Sequence, residues 1–267
     1  MEVGVIAAQT SNTWPETARL SLIGIVLFLG CWYLAVFFEI TPRRFLPAPH
    51  EVLFQFARLI QEPFTGFTLG QHLLSSFRRF LNGFLLAIAI GIPLGLLMAL
   101  SRGVQLLVTP IFESVRFVAP IAWVPFAALW FGTGIGGPTL VIFMGAFPPV
   151  LINTYRGAIY VDRKYIEAAK MLGAGPIRLM TQVLFPASLP SIVAGLRISA
   201  GLGWQSLVGA ELIVASSGVG YMMVKGQASI QTQIVMAGMI AIGLVGLLID
   251  ILLRRVERRF NRYQEVH

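Results

Sequence analysis

The 267 residues are 56% hydrophobic and only 12% charged, with a formal net charge of +8 and a mean hydropathy of +0.78. Soluble globular domains carry roughly twice that charged fraction, so the chain lacks the polar surface to cover a water-soluble core. Its basic excess borders apolar runs instead of forming a nucleic-acid-reading face. One cysteine, Cys31, and three dispersed histidines, His50, His72 and His267, give neither a disulfide framework nor a metal-ligand motif.

A membrane helix needs about 20 apolar residues, because the hydrocarbon offers its backbone no water. Leu20–Phe38 is the first predicted span; it reads as retained, because the apolar stretch after Arg19 is too long for a cleaved leader. Phe80–Ser101 is the second. The next uncharged stretch, Phe117–Tyr155, would measure about 58 Å as one helix. The run Gly132-Thr133-Gly134-Ile135-Gly136-Gly137-Pro138 breaks it, giving a third span to Phe131 and a fourth over Pro138–Asn153. Pro120 and Pro125 fall in the third span, where they are expected to kink it, and Glu113 and Arg116 are spaced as local partners before it. The fifth span, Ser191–Ile213, contains Arg197 and Glu211, and the sixth, Gln233–Leu253, is bordered by Asp250, Arg254 and Arg255. The expected fold is all-α and polytopic, with about six transmembrane helices.

Basic residues orient it. With the N-terminus inside, the cytoplasmic segments hold Arg19, Arg102, Arg156, Arg163, Lys164, Lys170, Arg178, Arg254, Arg255, Arg258, Arg259 and Arg262. The outside segments hold about half as many: Arg43, Arg44, Arg58, Arg78, Arg79 and Lys225. Both termini are therefore expected in the cytoplasm. The chain divides into residues 1–80 with the first span and its outer loop, a core over 81–253 with a cytoplasmic loop at 154–190, and a basic tail over 254–267 that reads as a lipid-headgroup anchor.

The loop is more than a tether. Asp162 is placed to cap a helix starting at Arg163, and Gly173 to end it. Arg163 with Glu167, and Glu167 with Lys170, have helical pair spacing. Pro176 permits a second helical start, and Pro186 with Pro190 closes the segment. Such a helix either lies on the membrane surface or is offered to a cytoplasmic partner.

Glu167-Ala168-Ala169, Gly173, and Val183 with Phe185-Pro186 resemble the EAA signature of binding-protein-dependent ABC transporter permeases, with Val183 and Phe185 where isoleucine and leucine are usual. Leu46-Pro47-Ala48-Pro49, Gly91-Ile92-Pro93-Leu94-Gly95, Trp130-Phe131-Gly132, Gly195-Leu196-Arg197, Trp204 and Ala210-Glu211-Leu212 are similar to the nitrate/sulfonate/taurine branch. The resemblance implies a type I ABC importer permease fold in a bacterial inner membrane. It also implies a second permease, identical or related, two cytoplasmic ATPases docked on Glu167–Gly173, and an extracytoplasmic solute-binding protein. Taurine or another alkanesulfonate is the implied cargo, with nitrate, cyanate or a vitamin-precursor heterocycle as alternatives. The chain has no Gly-rich Lys-Ser/Thr phosphate loop, so ATP and Mg²⁺ are expected on the partner subunits and no cofactor on this one. An ion-coupled transporter would leave the EAA-like loop unexplained, and an electron-transfer subunit would need histidines that the six expected spans lack.

Arg197 and Glu211 lie roughly 21 Å apart along one helix and cannot pair within it. Each either snorkels to headgroups or contributes to the translocation path, and for Arg197 a structural tie to the loop is a third reading. Trp204 either lines the pore or packs between helices, with Gln205 and Ser206 adding hydrogen-bonding capacity. Met222 and Met223 read as packing residues. Gly195, Gly201, Gly203 and Gly209 permit close helix approach.

Overall fold

The computed structural model describes residues 14–132 and 134–261. Residues 1–13 of the expected cytoplasmic N-terminus, Thr133, Arg262 and His267 lie outside the described residues.

Helix α1 (Trp14–Phe37) turns most of its apolar side chains outward, as lipid requires. It is tied to the next turn by Trp32, whose Nε1 donates to the Pro47 carbonyl at 3.1 Å, and by Tyr33 at 3.1 Å from His50 Nδ1. Helix α2 (Pro49–Gln61) is amphipathic. It buries Val52 and Leu59 against Ile234 and Ala237 of α11 (Thr232–Asn261).

Helix α3 (Leu69–Leu100) starts eleven residues before the expected second span. Thr68 and Gln71 cap it reciprocally. Arg78, Arg79 and His72, expected in an outer loop, are therefore helical, and a histidine does lie in this long membrane helix. The charges do not end the helix because Arg79 is neutralised inside the bundle (below).

The expected third span is not one straight helix. Helix α4 (Arg102–Arg116) meets the segment Pro120–Phe131 at 92°. That segment is a 3₁₀ turn, Pro120–Trp123, followed by α5 (Val124–Phe131). Pro120 and Pro125 occupy the opening positions of these two pieces, where a missing N–H costs nothing. They start helices instead of kinking one. Among the described residues, five helices are long and apolar enough to cross a membrane, or six if the bent pair is a single crossing.

Helix α6 (Gly136–Ile159) is the central element, packed along α3 on one side and α9 (Phe185–Val214) on the other. Glycines set these approaches. A Cβ on Gly83 would come within 2.7 Å of Ile142, and one on Gly91 within 2.8 Å of Val150. On α9, Gly195 abuts Asn153 and Gly203 abuts Ala146, Gly209 touches Ile121, and Gly201 faces open space. Small residues let membrane helices gain dispersion contacts that water-driven burial cannot supply.

Between α6 and α9 run α7 (Arg163–Met171), a short turn α8 (Pro176–Arg178) and a π-helical turn, Leu179–Leu184, that passes directly into α9. Pro186 opens α9 and Pro190 lies inside it, so the prolines do not close the segment as expected. Helix α10 (Val219–Ala228) returns beside α11. Met222 and Met223 pack there, as expected. Residues 254–261 continue α11, with Arg254 bonded to Asp250 at 2.8 Å.

Replacing Gly91 by valine should cost about 1–3 kcal/mol through overpacking, seen as a lower thermal midpoint of the purified protein in detergent. Gly24→Ala, with nothing within 4 Å of the new Cβ, should leave the midpoint unchanged or higher.

Candidate translocation path and coupling segment

Asp162 Oδ1 accepts the Lys164 N–H at 3.0 Å and caps α7. That bond, with the Lys164 ammonium beside it, holds the Asp162 carboxyl below its ordinary pKa. At the other end Gly173 adopts φ +77°, and its N–H returns to the Lys170 carbonyl at 3.0 Å. The expected Arg163–Glu167 and Glu167–Lys170 pairs do not form. Lys164 instead pairs with Asp162 at 3.2 Å, whereas Arg116 and Glu113 do pair, at 2.6 Å. Glu167 and Ala168 are exposed, Ala169 and Val183 half-buried, and Phe185 and Pro186 exposed. The seat of the segment is a set of residues the motif did not single out: Ile166, Met180 and Leu184 pack on Leu96 and Ala158. Tyr165, Met171, Leu172 and Ile177 project outward, with Leu172 88% exposed.

At the opposite end of the bundle, Glu211 is 1% exposed and does not snorkel. Its carboxylate accepts the Ser76 hydroxyl at 2.8 Å, Arg79 Nη1 at 2.9 Å and the Gly220 N–H at 3.0 Å. Arg79 also donates to the Ser217 carbonyl and hydroxyl, each at 2.8 Å. Ser76 Oγ accepts the Val219 N–H at 3.0 Å. His72 Nδ1 accepts the Gly218 N–H at 3.1 Å, which leaves its proton on Nε2 facing the Phe64 carbonyl at 3.1 Å. Three side chains from α3 and α9 thus cap the first turn of α10, whose own cap, Gly218, has no side chain. No local spacing signals the pairing of Arg79 with Glu211, because they are far apart in the chain.

Arg197, with its side chain 32% exposed, is ion-paired. Its Nε donates to Asp250 at 2.7 Å and its Nη1 to Glu257 at 3.1 Å, tying α9 to α11. Trp204 is 4% exposed, edge-on to Phe80 with centroids 5.4 Å apart, and its indole N–H donates to the Ile242 carbonyl at 3.1 Å. In this conformation it packs between helices. Its neighbours Gln205 and Ser206 line a cavity of about 560 Å³, between α6, α9 and the bend at Arg116–Ile121. Asn153, Met144 and the Pro148-Pro149 pair complete its wall. Sequence reasoning missed these, although two adjacent prolines inside a span were a signal of irregular wall geometry.

The family model described as binding-protein-dependent transport system inner membrane component matches residues 91–262. The chain belongs to this family. It is 35% identical to the taurine transport system permease protein of Escherichia coli (strain K12), over 93% of this chain and 91% of that one. It is also 35% identical to the putative aliphatic sulfonates transport permease protein of Bacillus subtilis (strain 168), over 89% and 85%. Its fold matches a solved structure of the inward-facing MetNI methionine ABC transporter with a TM-score of 0.63 at 18% identity, over 72% of this chain and 95% of that one. The permease is therefore a multi-pass inner-membrane subunit of an ABC importer, and ATP hydrolysis belongs to separate ATPase subunits.

Removing either Arg79 or Glu211 strands a buried partner, so R79M and E211A should each cost about 3–5 kcal/mol. The double variant should lose clearly less than the sum of the two, read from thermal or denaturant unfolding in detergent. Strict additivity would show that the two groups do not interact.

Proposed function

We propose that this permease imports a small sulfonate, taurine first among them, delivered by an extracytoplasmic solute-binding protein. Two copies form the pore, and two cytoplasmic ATPases engage Glu167–Gly173. The observation that carries the docking assignment is α7 itself. It is capped at both ends, seated by Ile166, and leaves Tyr165, Met171 and, just past its end, Leu172 exposed. Exposed apolar projections of this kind mark interaction sites. In this reading both termini are cytoplasmic, residues 81–253 move as the core, the 154–190 loop transmits ATPase closure, and the 254–267 tail anchors at headgroups.

The cavity beside Gln205 and Ser206 is the permeation path of one subunit. Its apolar wall with a few amide and hydroxyl groups suits a solute that must bind weakly and leave. Trp204, Arg197 and Glu211 act from outside that cavity: the first sets helix packing, and the other two hold α9 to its neighbours at either end. The sulfonate assignment is supported by the names of the taurine and aliphatic-sulfonate relatives. Nitrate, cyanate and an uncharged heterocycle are the competing cargoes.

Gly173→Val forces a β-branched residue into φ > 0 and should uncouple the machine. We expect co-purification of the ATPase and ATP-driven taurine uptake in proteoliposomes to fall at least tenfold, with the thermal midpoint of the permease retained. Uptake that persists without any ATPase would sink the importer reading, and wild-type coupling in both G173V and Glu167→Ala would sink the docking assignment.

A further inference from the structure

A second cavity, of about 480 Å³, opens on the outer half of α3. Its polar lining comprises Gln71, Ser75, Arg78, Arg79, Asn82 and Ser217, and among the described residues no carboxylate lines it. Gln71, Ser75, Arg78 and Asn82 recur on one helical face. Arg78 is exposed and has no hydrogen-bond or ion-pair partner among the described residues, while Arg79 is 5% exposed and its Nε is buried without a partner. Glu211 neutralises one of the two guanidinium charges from behind the cavity wall, so the lining keeps one unit of positive charge beside amide and hydroxyl donors. Lipid-facing helix surfaces do not carry such a set, because each polar group would be desolvated without compensation.

We propose that this cavity is a binding site for a small oxyanion, with Arg78 as the direct charge partner and Asn82, Gln71 and Ser75 as hydrogen-bond donors. Arg79, held by Glu211 and Ser217, positions the wall. Guanidinium groups bind planar or tetrahedral oxyanions through paired N–H donors. Glu211 lies six positions beyond Gln205 on α9, so the oxyanion cavity sits roughly 9 Å further along the bundle axis, away from the α7 end. Resting on the importer reading, that places the oxyanion site on the outer side, upstream of the Gln205–Ser206 cavity, as the first station for an incoming anion. The same chemistry would accept a lipid phosphate, and the experiment separates the two sources.

Full-length permease in nanodiscs of phosphatidylcholine alone is treated with phenylglyoxal, and arginine modification is read residue by residue by mass spectrometry. Millimolar methanesulfonate, taurine or nitrate should slow modification of Arg78 at least threefold relative to sodium chloride at equal ionic strength. Arg58, exposed and paired with Glu62, serves as the reference and should not change. Equal protection by chloride, or none by any of the three anions, overturns the site. Protection that needs phosphatidylglycerol and ignores added solute assigns the cavity to lipid and overturns the solute role. Lost protection with ATP-driven uptake intact removes only this inference. Protection without ATP-driven uptake removes the importer reading and leaves the site standing.

Discussion

A helix that begins inside a protein has no water to receive the amide hydrogens of its first turn. Helix α10 begins in this way, behind a glycine cap, and His72, Ser76 and Glu211 accept the N–H groups of Gly218, Val219 and Gly220. A buried carboxylate is tolerable there for two reasons: the N-terminal end of α10 presents positive partial charge, and Arg79 lies within hydrogen-bonding distance. Much of this end of the bundle follows from this arrangement. Helix α3 must extend back to Leu69 to deliver His72 and Arg79, α9 must reach Glu211 unbroken, and the turn at Ser217 is held by the same guanidinium that neutralises the acid.

The rest of the bundle is governed by how closely helices approach without a hydrophobic driving force between them. Gly83 and Gly91 let α3 close on α6, while Gly195 and Gly203 let α9 close on its other side. Where α6 carries Pro148 and Pro149 and the chain bends at Arg116–Ile121, close approach fails and a cavity remains. Close packing and the cavity are thus two outcomes of one distribution of small and rigid residues along α6.

The α7 end is built on continuity. The π-helical turn Leu179–Leu184 runs into α9 without a loop, and Ile166, Met180 and Leu184 share one cluster with Leu96 of α3. Helix and packed side chains therefore connect α7 continuously to α9. A π-helical turn is a weak point in an otherwise regular ladder, which makes it the natural place for α9 to bend. At that same end of the bundle Arg197, bonded to Asp250 and Glu257, keeps α9 and α11 together.

The sequence by itself determined the membrane class, about six crossings, and the capped helix from Arg163 ended by Gly173. These rest on local rules: hydrophobic run length, side-chain capping, and the conformation that glycine permits. The spacing of Glu167, Ala168, Ala169 and Gly173 also carried the family resemblance, because these residues form one contiguous segment. Only the tertiary structure decided which charged residues meet. Arg79 was indistinguishable from a loop arginine, and Glu211 and Arg197 from snorkelling residues, because each finds its partner on another helix. The same holds for Trp204, whose burial against Phe80 and the Ile242 carbonyl depends on the rotation of three helices, and for the cavity that takes in Gln205 and Ser206 but not the tryptophan beside them.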